Sequence, residues 1–238
     1  MSELPVIFTD LDGTLLDHDT YSAEEARSVL EKVTAKGIPV IPATSKTYSE
    51  VVEFRDSMNL THAFIVENGA ALYVPMDTDI RCPMGSKLFE GYWVREFGVK
   101  RQALCDVLEA LDMNGTYRFK SLTDMRTSEV ADITGLDLAS AQRAQHRLYS
   151  ETLDWRDSEA ALTAFSDVLT GIGFSVSLGG WFVHLMGPNN KGIAAQWFQA
   201  LLKREVTPDV ATIAAGDAPN DRELLEMADY ALLMRNAR

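Results

Sequence analysis

The stretch Val6-Ile7-Phe8-Thr9-Asp10-Leu11-Asp12-Gly13-Thr14 decides the fold. A compact apolar run that stops abruptly at acids on a glycine turn reads as a strand buried on both faces and ending at a polar rim. That is the signature of a parallel strand rather than a half-exposed antiparallel one. Working outward, a helix is expected from about Ser22. Ser22 and Glu25 have capping-box spacing, Ala26, Val29, Leu30 and Val33 share one face, and Gly37 lies past the end. Residues 38–43 make a second strand, with Pro39 and Pro42 near its ends, and it stops at Thr44-Ser45-Lys46. Thr47 and Glu50 form another capping-box pair before Val51, Val52, Phe54 and Met58. A third strand, 63–66, runs into Glu67-Asn68-Gly69, and 70–74 pairs back on it as a hairpin. Strand–helix–strand–helix–strand with short links predicts a parallel sheet covered by helices.

The pattern then changes. Residues 75–85 are loop-like, with Pro75, Asp77, Asp79, Pro83 and Gly85. Helical spacing follows over 101–111, a short run over 117–120, and helical spacing again over about 122–146 and 158–169. Two runs, 174–178 and 181–186, flank Gly179-Gly180 as a β-hairpin. After Pro188 the first pattern resumes. It has a helix carrying Ile193, Ala194, Trp197, Phe198, Leu201 and Leu202, a strand over 210–215, a short helix over 221–227 and a last run over 230–234. The expected organisation is an α/β unit formed by 1–82 and 188–238, interrupted by an inserted α+β unit, 83–187.

The chain of 238 residues has room for one large domain or two small ones. Apolar residues at 46% and charged residues at 24% exclude wholesale disorder. A formal net charge of −13 argues against a nucleic-acid partner, whose phosphates need Lys and Arg to replace counterions. It leaves room for a small anion held by a few local cations. Cys82 and Cys105 are too few for a disulfide framework and lack metal-ligand spacing. Met1-Ser2-Glu3-Leu4-Pro5 has no signal-peptide character, and no apolar run reaches membrane-spanning length. A soluble cytoplasmic protein with no membrane partner is expected.

The chemistry gathers at strand ends, where α/β folds place their ligands. Asp10 and Asp12 stand two residues apart on a turn. Such a pair can hold a divalent cation, or one acid can attack while the other moves protons. An ordinary Asp-rich turn bent at Gly13 explains the same residues. Gly216-Asp217-Ala218-Pro219-Asn220-Asp221 follows the strand 210–215, and a helix N-terminus accounts for Asn220 or Asp221 taken singly. It does not account for acids at two separate strand ends, which repel unless a cation offsets them. Thr44 and Lys191 supply a hydroxyl and an ammonium suited to phosphoryl oxygens. Taken singly, each is an ordinary strand-end cap or surface lysine. The four elements together are far more specific.

With these residues the sequence resembles the haloacid dehalogenase-type phosphatase superfamily. D-x-D-G-T stands at 10–14, the threonine motif at Thr44, the lysine motif at Lys191, and G-D-x-x-N-D at 216–221, in the family order. The resemblance implies a Rossmann-like parallel-sheet core with an inserted cap, similar to the large α+β cap of the Cof-like subgroup, which also carries Glu67-Asn68-Gly69. It implies Asp10 as a nucleophile forming an aspartyl-phosphate, and Asp12 as the acid and then the base. Thr44 and Lys191 would hold the phosphoryl oxygens. Mg²⁺ would be ligated by Asp10, the backbone carbonyl of Asp12, and Asp217, with Asp221 a ligand directly or through water.

Three further segments resemble the mannosyl-3-phosphoglycerate phosphatase group. They are Thr44-Ser45-Lys46-Thr47 in place of T-G-R, Arg147-Leu148-Tyr149-Ser150-Glu151-Thr152, and 178–184 leading toward the lysine motif. The implied substrate is a glycosyl 3-phosphoglycerate, mannosyl or glucosyl. Ser45, Lys46, Arg147, Ser150 and Asn220 are candidates for its carboxylate, hydroxyls or phosphate. Arg147, Ser150 and Glu151 also fit a turn with a surface ion pair, worth under about 1 kcal/mol. Trp181 stands where the group commonly has Arg. The chain ends at Arg238, where the family leads one to expect a closing strand and helix, so an exposed sheet edge is expected. Two other functions fit the same motifs: a phosphatase of another sugar phosphate, and a phospho-sugar-binding protein without turnover.

Overall fold

The computed structural model describes residues 3–17, 22–112, 115–179 and 182–235. In chain order the elements are β1 (Leu4–Thr9), α1 (Glu24–Thr34), β2 (Val40–Pro42), α2 (Tyr48–Ser57), β3 (Phe64–Val66), β4 (Ala71–Pro75), β5 (Lys87–Phe89) and β6 (Tyr92–Glu96). Then come α3 (Arg101–Asp112), β7 (Phe119–Ser121), α4 (Thr127–Thr134), α5 (Leu138–Gln145), β8 (Ser150–Trp155), α6 (Glu159–Gly171), β9 (Ser175–Gly179) and β10 (Phe182–Met186). The last are α7 (Lys191–Glu205), β11 (Val210–Gly216), α8 (Arg222–Met227) and β12 (Tyr230–Leu233).

The chain divides into two compact units: Met1–Lys46, Val51–Phe97 and Asn190–Arg238 in one, Thr47–Glu50 and Gly98–Asn189 in the other. The expected boundary lay at 82/83. Residues 87–96 form instead β5 and β6 of an antiparallel sheet ordered β3-β4-β6-β5, with β6 paired to β4 and β5 to β6, and so pack with the first unit.

The first unit is built on the parallel sheet β12-β11-β1-β2. β1 lies at its centre, with Phe8 opposite Ala214 and Ile41. Alternation along β1 buries Val6 and Phe8 against Ala194, Ala195, Phe198 and Leu202 of α7. Ile7 faces the other way, toward Leu30 of α1 and Phe54 of α2. Helices therefore cover both faces, which is why the strand reads as continuously apolar. Pro42 is tolerated because β2 is the outer strand of this ladder. Among the described residues, a single parallel bridge, Ala43 to Ile65, continues the sheet beyond it. β12 forms the other edge, and Tyr230, Leu232 and Leu233 are exposed there.

The second unit is an antiparallel sheet, β7-β8-β10-β9. One face carries Leu153, Val183 and Leu185, which pack with Leu104 and Leu108 of α3 and Phe165 and Leu169 of α6. The β9–β10 hairpin is present, although Gly180 and Trp181 lie outside the described residues.

Local differences have identifiable causes. The expected Ser22–Glu25 box does not form. α1 begins at Glu24 behind Ala23, and Ser22 Oγ accepts from the Glu24 N–H at 3.2 Å. The Thr47–Glu50 box does form, with the Thr47 N–H bonded to Glu50 Oε2 at 2.9 Å and the Glu50 N–H to Thr47 Oγ1 at 3.3 Å. The single helical pattern over 122–146 is two helices. Gly135 ends α4 in the left-handed conformation, and Asp137 caps α5 through the Ser140 N–H at 3.0 Å.

Phe165 has no exposed surface and lies among Tyr117, Phe119 and Trp155. Phe165→Ala is expected to destabilise the protein by about 3–5 kcal/mol, read as a lowered denaturation midpoint by aromatic fluorescence.

Candidate active site

The site is assembled at the carboxyl ends of β1 and β11 and at the start of α7. Asp10 follows β1, with its N–H bonded to Ala215 O at 2.9 Å, so ladder pairing delivers it beside the end of β11. Its side chain is buried. Asn190 caps α7 by accepting from the Ile193 N–H at 2.8 Å, and this sets Lys191 as the first helical residue. Lys191 has no exposed surface, and its Nζ donates to Asp10 Oδ1 at 2.7 Å and to Asp221 Oδ1 at 2.6 Å. Asp221 Oδ2 accepts from the N–H groups of Asp217 and Ala218 at 3.0 and 3.1 Å. Asp217 Oδ1 accepts from Thr14 Oγ1 at 3.1 Å.

Two glycines make this packing feasible. A Cβ on Gly69, whose φ is +86°, would stand 1.9 Å from Asn190 O, so only glycine lets this loop lie against the peptide that positions Lys191. A Cβ on Gly216 would stand 2.5 Å from the Cβ of Asp221.

The other expected residues form adjoining contacts. Thr44 is buried after β2, with its N–H bonded to Ile65 O at 3.1 Å and its carbonyl to the Asn68 N–H at 2.9 Å. Ser45 is half-buried in the same loop. Lys46 Nζ lies 3.0 Å from Asp12 Oδ1, and the Asp12 carboxylate is not part of the Asp10, Asp217 and Asp221 group. Asn220 Nδ2 donates to Asn68 Oδ1 at 3.0 Å, so it ties two loops together. In the second unit Arg147 Nη1 donates to Ser150 Oγ at 2.9 Å. Glu151 is not part of a surface pair. It is fully buried and accepts from Arg101 Nε, Ser121 Oγ and Thr123 Oγ1. Its phase on β8 is that of Leu153, two residues on, which points it toward α3.

Thr14, Asn68 and Asn190 were not among the residues singled out for the site. The Asn-Gly pair at 68–69 was their clearest trace, since Asn tolerates the left-handed backbone that it adopts here at φ 55°.

Asp10, Asp217 and Asp221 offer carboxylate oxygens that all lie within 4.8 Å of one another. One ammonium against three carboxylates leaves local negative charge. An all-oxygen donor set of this kind suits a hard divalent cation. Burial pushes the Asp10 carboxyl up, the Lys191 ammonium pulls it down and Asp221 pushes it up again, for a result of about 6 against an ordinary 3.8. Burial alone would lower the Lys191 ammonium, but its two carboxylate partners outweigh this and raise it.

A haloacid dehalogenase-like hydrolase family model matches residues 7–82. A glucosyl-3-phosphoglycerate/mannosyl-3-phosphoglycerate phosphatase of Methanococcoides burtonii is 35% identical over 230 residues, 97% of this chain and 84% of that protein. The chain belongs to the haloacid dehalogenase-like hydrolases. A relative of the same description from Persephonella marina is 32% identical over 233 residues, 96% of this hydrolase and 84% of its own length. Among solved structures, a haloacid dehalogenase-like hydrolase from B. subtilis shares the fold of this hydrolase, with TM-score 0.68 at 20% identity, covering 98% of this chain and 90% of that one.

In the metal-free protein the Asp10 carboxyl is expected to titrate near pH 6, followed by carbon-13 NMR. Lys191→Met should move the midpoint up and Asp221→Asn should move it down. Because the folded value is raised, the contribution of this carboxyl to stability is complete below its ordinary value of 3.8. It is lost as pH rises through about 6.

Proposed function

We propose that this hydrolase is a phosphoric monoester hydrolase acting on glucosyl-3-phosphoglycerate or mannosyl-3-phosphoglycerate, releasing the glycosylglycerate and phosphate. The observation that carries the chemistry is the buried Lys191 joined to Asp10 and Asp221, with Asp217 in the same group. The substrate rests on the two relatives, each matched over nearly the whole of this chain, and on the resemblance of 44–47 and 147–152.

On this reading an oxygen of Asp10 attacks phosphorus, and the bond from phosphorus to the ester oxygen breaks. Asp12 gives that leaving oxygen its proton. Water then attacks the aspartyl-phosphate, Asp12 takes the water proton, and the bond from phosphorus to Asp10 breaks to free phosphate. Lys191 and the Thr44 hydroxyl hold the phosphoryl oxygens, where fixed donors stabilise charge spread over the transferring group. Mg²⁺ would be held by Asp10 and Asp217, together with the Asp12 carbonyl. It would neutralise phosphoryl charge when bound. Both oxygens of Asp221 already accept hydrogen bonds, and this supports a role in fixing Lys191 and the Asp217 loop. Arg147 and Ser150 are proposed contacts for the glyceryl carboxylate or a sugar hydroxyl, on the strength of the resemblance of their segment.

Phosphate release should require Mg²⁺, favour the two glycosyl-phosphoglycerates over hexose phosphates, and fall below detection in Asp10→Asn. A preference for plain hexose phosphates would retain the chemistry and overturn the substrate. Arg147→Ala should raise KM for the glycosyl-phosphoglycerates by about tenfold, as expected for a lost charged hydrogen bond, and leave p-nitrophenyl phosphate unaffected.

A further inference from the structure

We propose that Lys46 is a positioning residue for Asp12. Its ammonium holds one oxygen of that carboxylate so that the other is presented to the leaving group and then to water. The proposal rests on the phosphatase reading above. Asp12 is the one acid of the D-x-D turn that stands apart from the carboxylate group of Asp10, Asp217 and Asp221. Its Oδ1 is buried and accepts no aligned hydrogen bond, and the cation against it is Lys46 Nζ at 3.0 Å. The side chain as a whole is 33% exposed, so the exposure falls on its remainder, where Oδ2 is the oxygen left to meet a substrate. Contact with Lys46 is therefore electrostatic, and it selects which oxygen faces outward.

Lys46 is itself held firmly. Its N–H donates to Thr44 Oγ1 at 3.2 Å and its carbonyl accepts from the Glu67 N–H at 2.9 Å. The side chain is only 18% exposed. A cation on a loop fixed at both backbone groups can orient a neighbouring acid without touching the reacting atoms. Without it, a buried carboxylate oxygen would be left with no compensating partner, and the carboxylate would turn toward water. This differs from a lysine that binds the substrate carboxylate, and the two roles can be separated by leaving group.

p-Nitrophenolate departs without a proton, so forming the aspartyl-phosphate from p-nitrophenyl phosphate needs no acid, whereas hydrolysing that intermediate still needs Asp12 as base. The experiment compares wild type, Lys46→Met and Lys46→Arg, as full-length protein with Mg²⁺, on p-nitrophenyl phosphate and mannosyl-3-phosphoglycerate. Circular dichroism checks that each is folded. For p-nitrophenyl phosphate, Lys46→Met is expected to keep kcat/KM within about threefold of wild type. It should release one p-nitrophenolate per enzyme in a burst and then turn over about 100-fold more slowly, the scale of lost general acid–base catalysis. With mannosyl-3-phosphoglycerate kcat/KM itself should fall by about 100-fold, and Lys46→Arg should recover most of each loss.

Wild-type turnover of p-nitrophenyl phosphate by Lys46→Met, without a burst and with loss confined to the carboxylate-bearing substrate, overturns the proposal in favour of substrate contact. Loss of the burst itself in both variants overturns it in favour of a purely structural lysine. A wild-type protein that turns over neither substrate, and does not differ from Asp10→Asn, overturns the phosphatase reading and this proposal with it.

Discussion

An ammonium with no exposed surface sits between two carboxylates, Lys191 joined to Asp10 and Asp221, and the rest of the site is arranged around it. Taking such charges out of water costs several kcal/mol each, and removal of one partner would leave the others uncompensated. The partners stand 181 and 30 residues from Lys191 in the chain. The interaction therefore exists only when both segments of the interrupted α/β unit have come together. Lys191 also opens a helix, where the macrodipole disfavours a positive side chain. A local preference is overridden here by a demand of the site, the usual mark of a functional position.

Loops, rather than strands, hold the rim, and backbone bonds make them stiff. Asn68 bonds through its N–H to Thr44 and through its side chain to Asn220, joining the loop after β2 to the loop after β11. Glu67 and Asn68 both have positive φ, a cost that persists only where the surroundings impose it. What imposes it is the approach of Gly69 to the Asn190–Lys191 peptide, too close for any side chain. The same backbone economy fixes Lys46, and through it Asp12, so the two acids of one turn are given different neighbours: Asp10 an interior lysine, Asp12 a lysine at the rim.

In the second unit one strand serves two chemistries by alternation. Leu153 of β8 packs into the apolar face, and Glu151, on the same phase, is satisfied there by Arg101, Ser121 and Thr123. The intervening Thr152 points the other way and bonds to His184 of β10 at 3.2 Å. Glu151 is thus held inside the unit by three donors, unlike the exposed pair that its sequence neighbours suggested.

The sequence by itself determined the parallel sheet, its helical cover, the strand ends that carry the acids and Thr44, and the helix start that carries Lys191. A doubly buried strand needs an unbroken apolar run, and a ligand at its end needs polar residues just beyond; both are local patterns. Short-range balances escaped it. The start of α1 and the break at Gly135 turn on one cap or one left-handed residue, which periodicity does not weigh. Residues 87–96 alternate too weakly to announce strands, and only the pairing of β6 with β4, and of β5 with β6, makes them so. Which acids cluster, which one Lys46 faces, and that Glu151 is interior depend on distances between segments remote in the chain. Electrostatics and hydrogen bonding act through space, so only the tertiary structure could decide them.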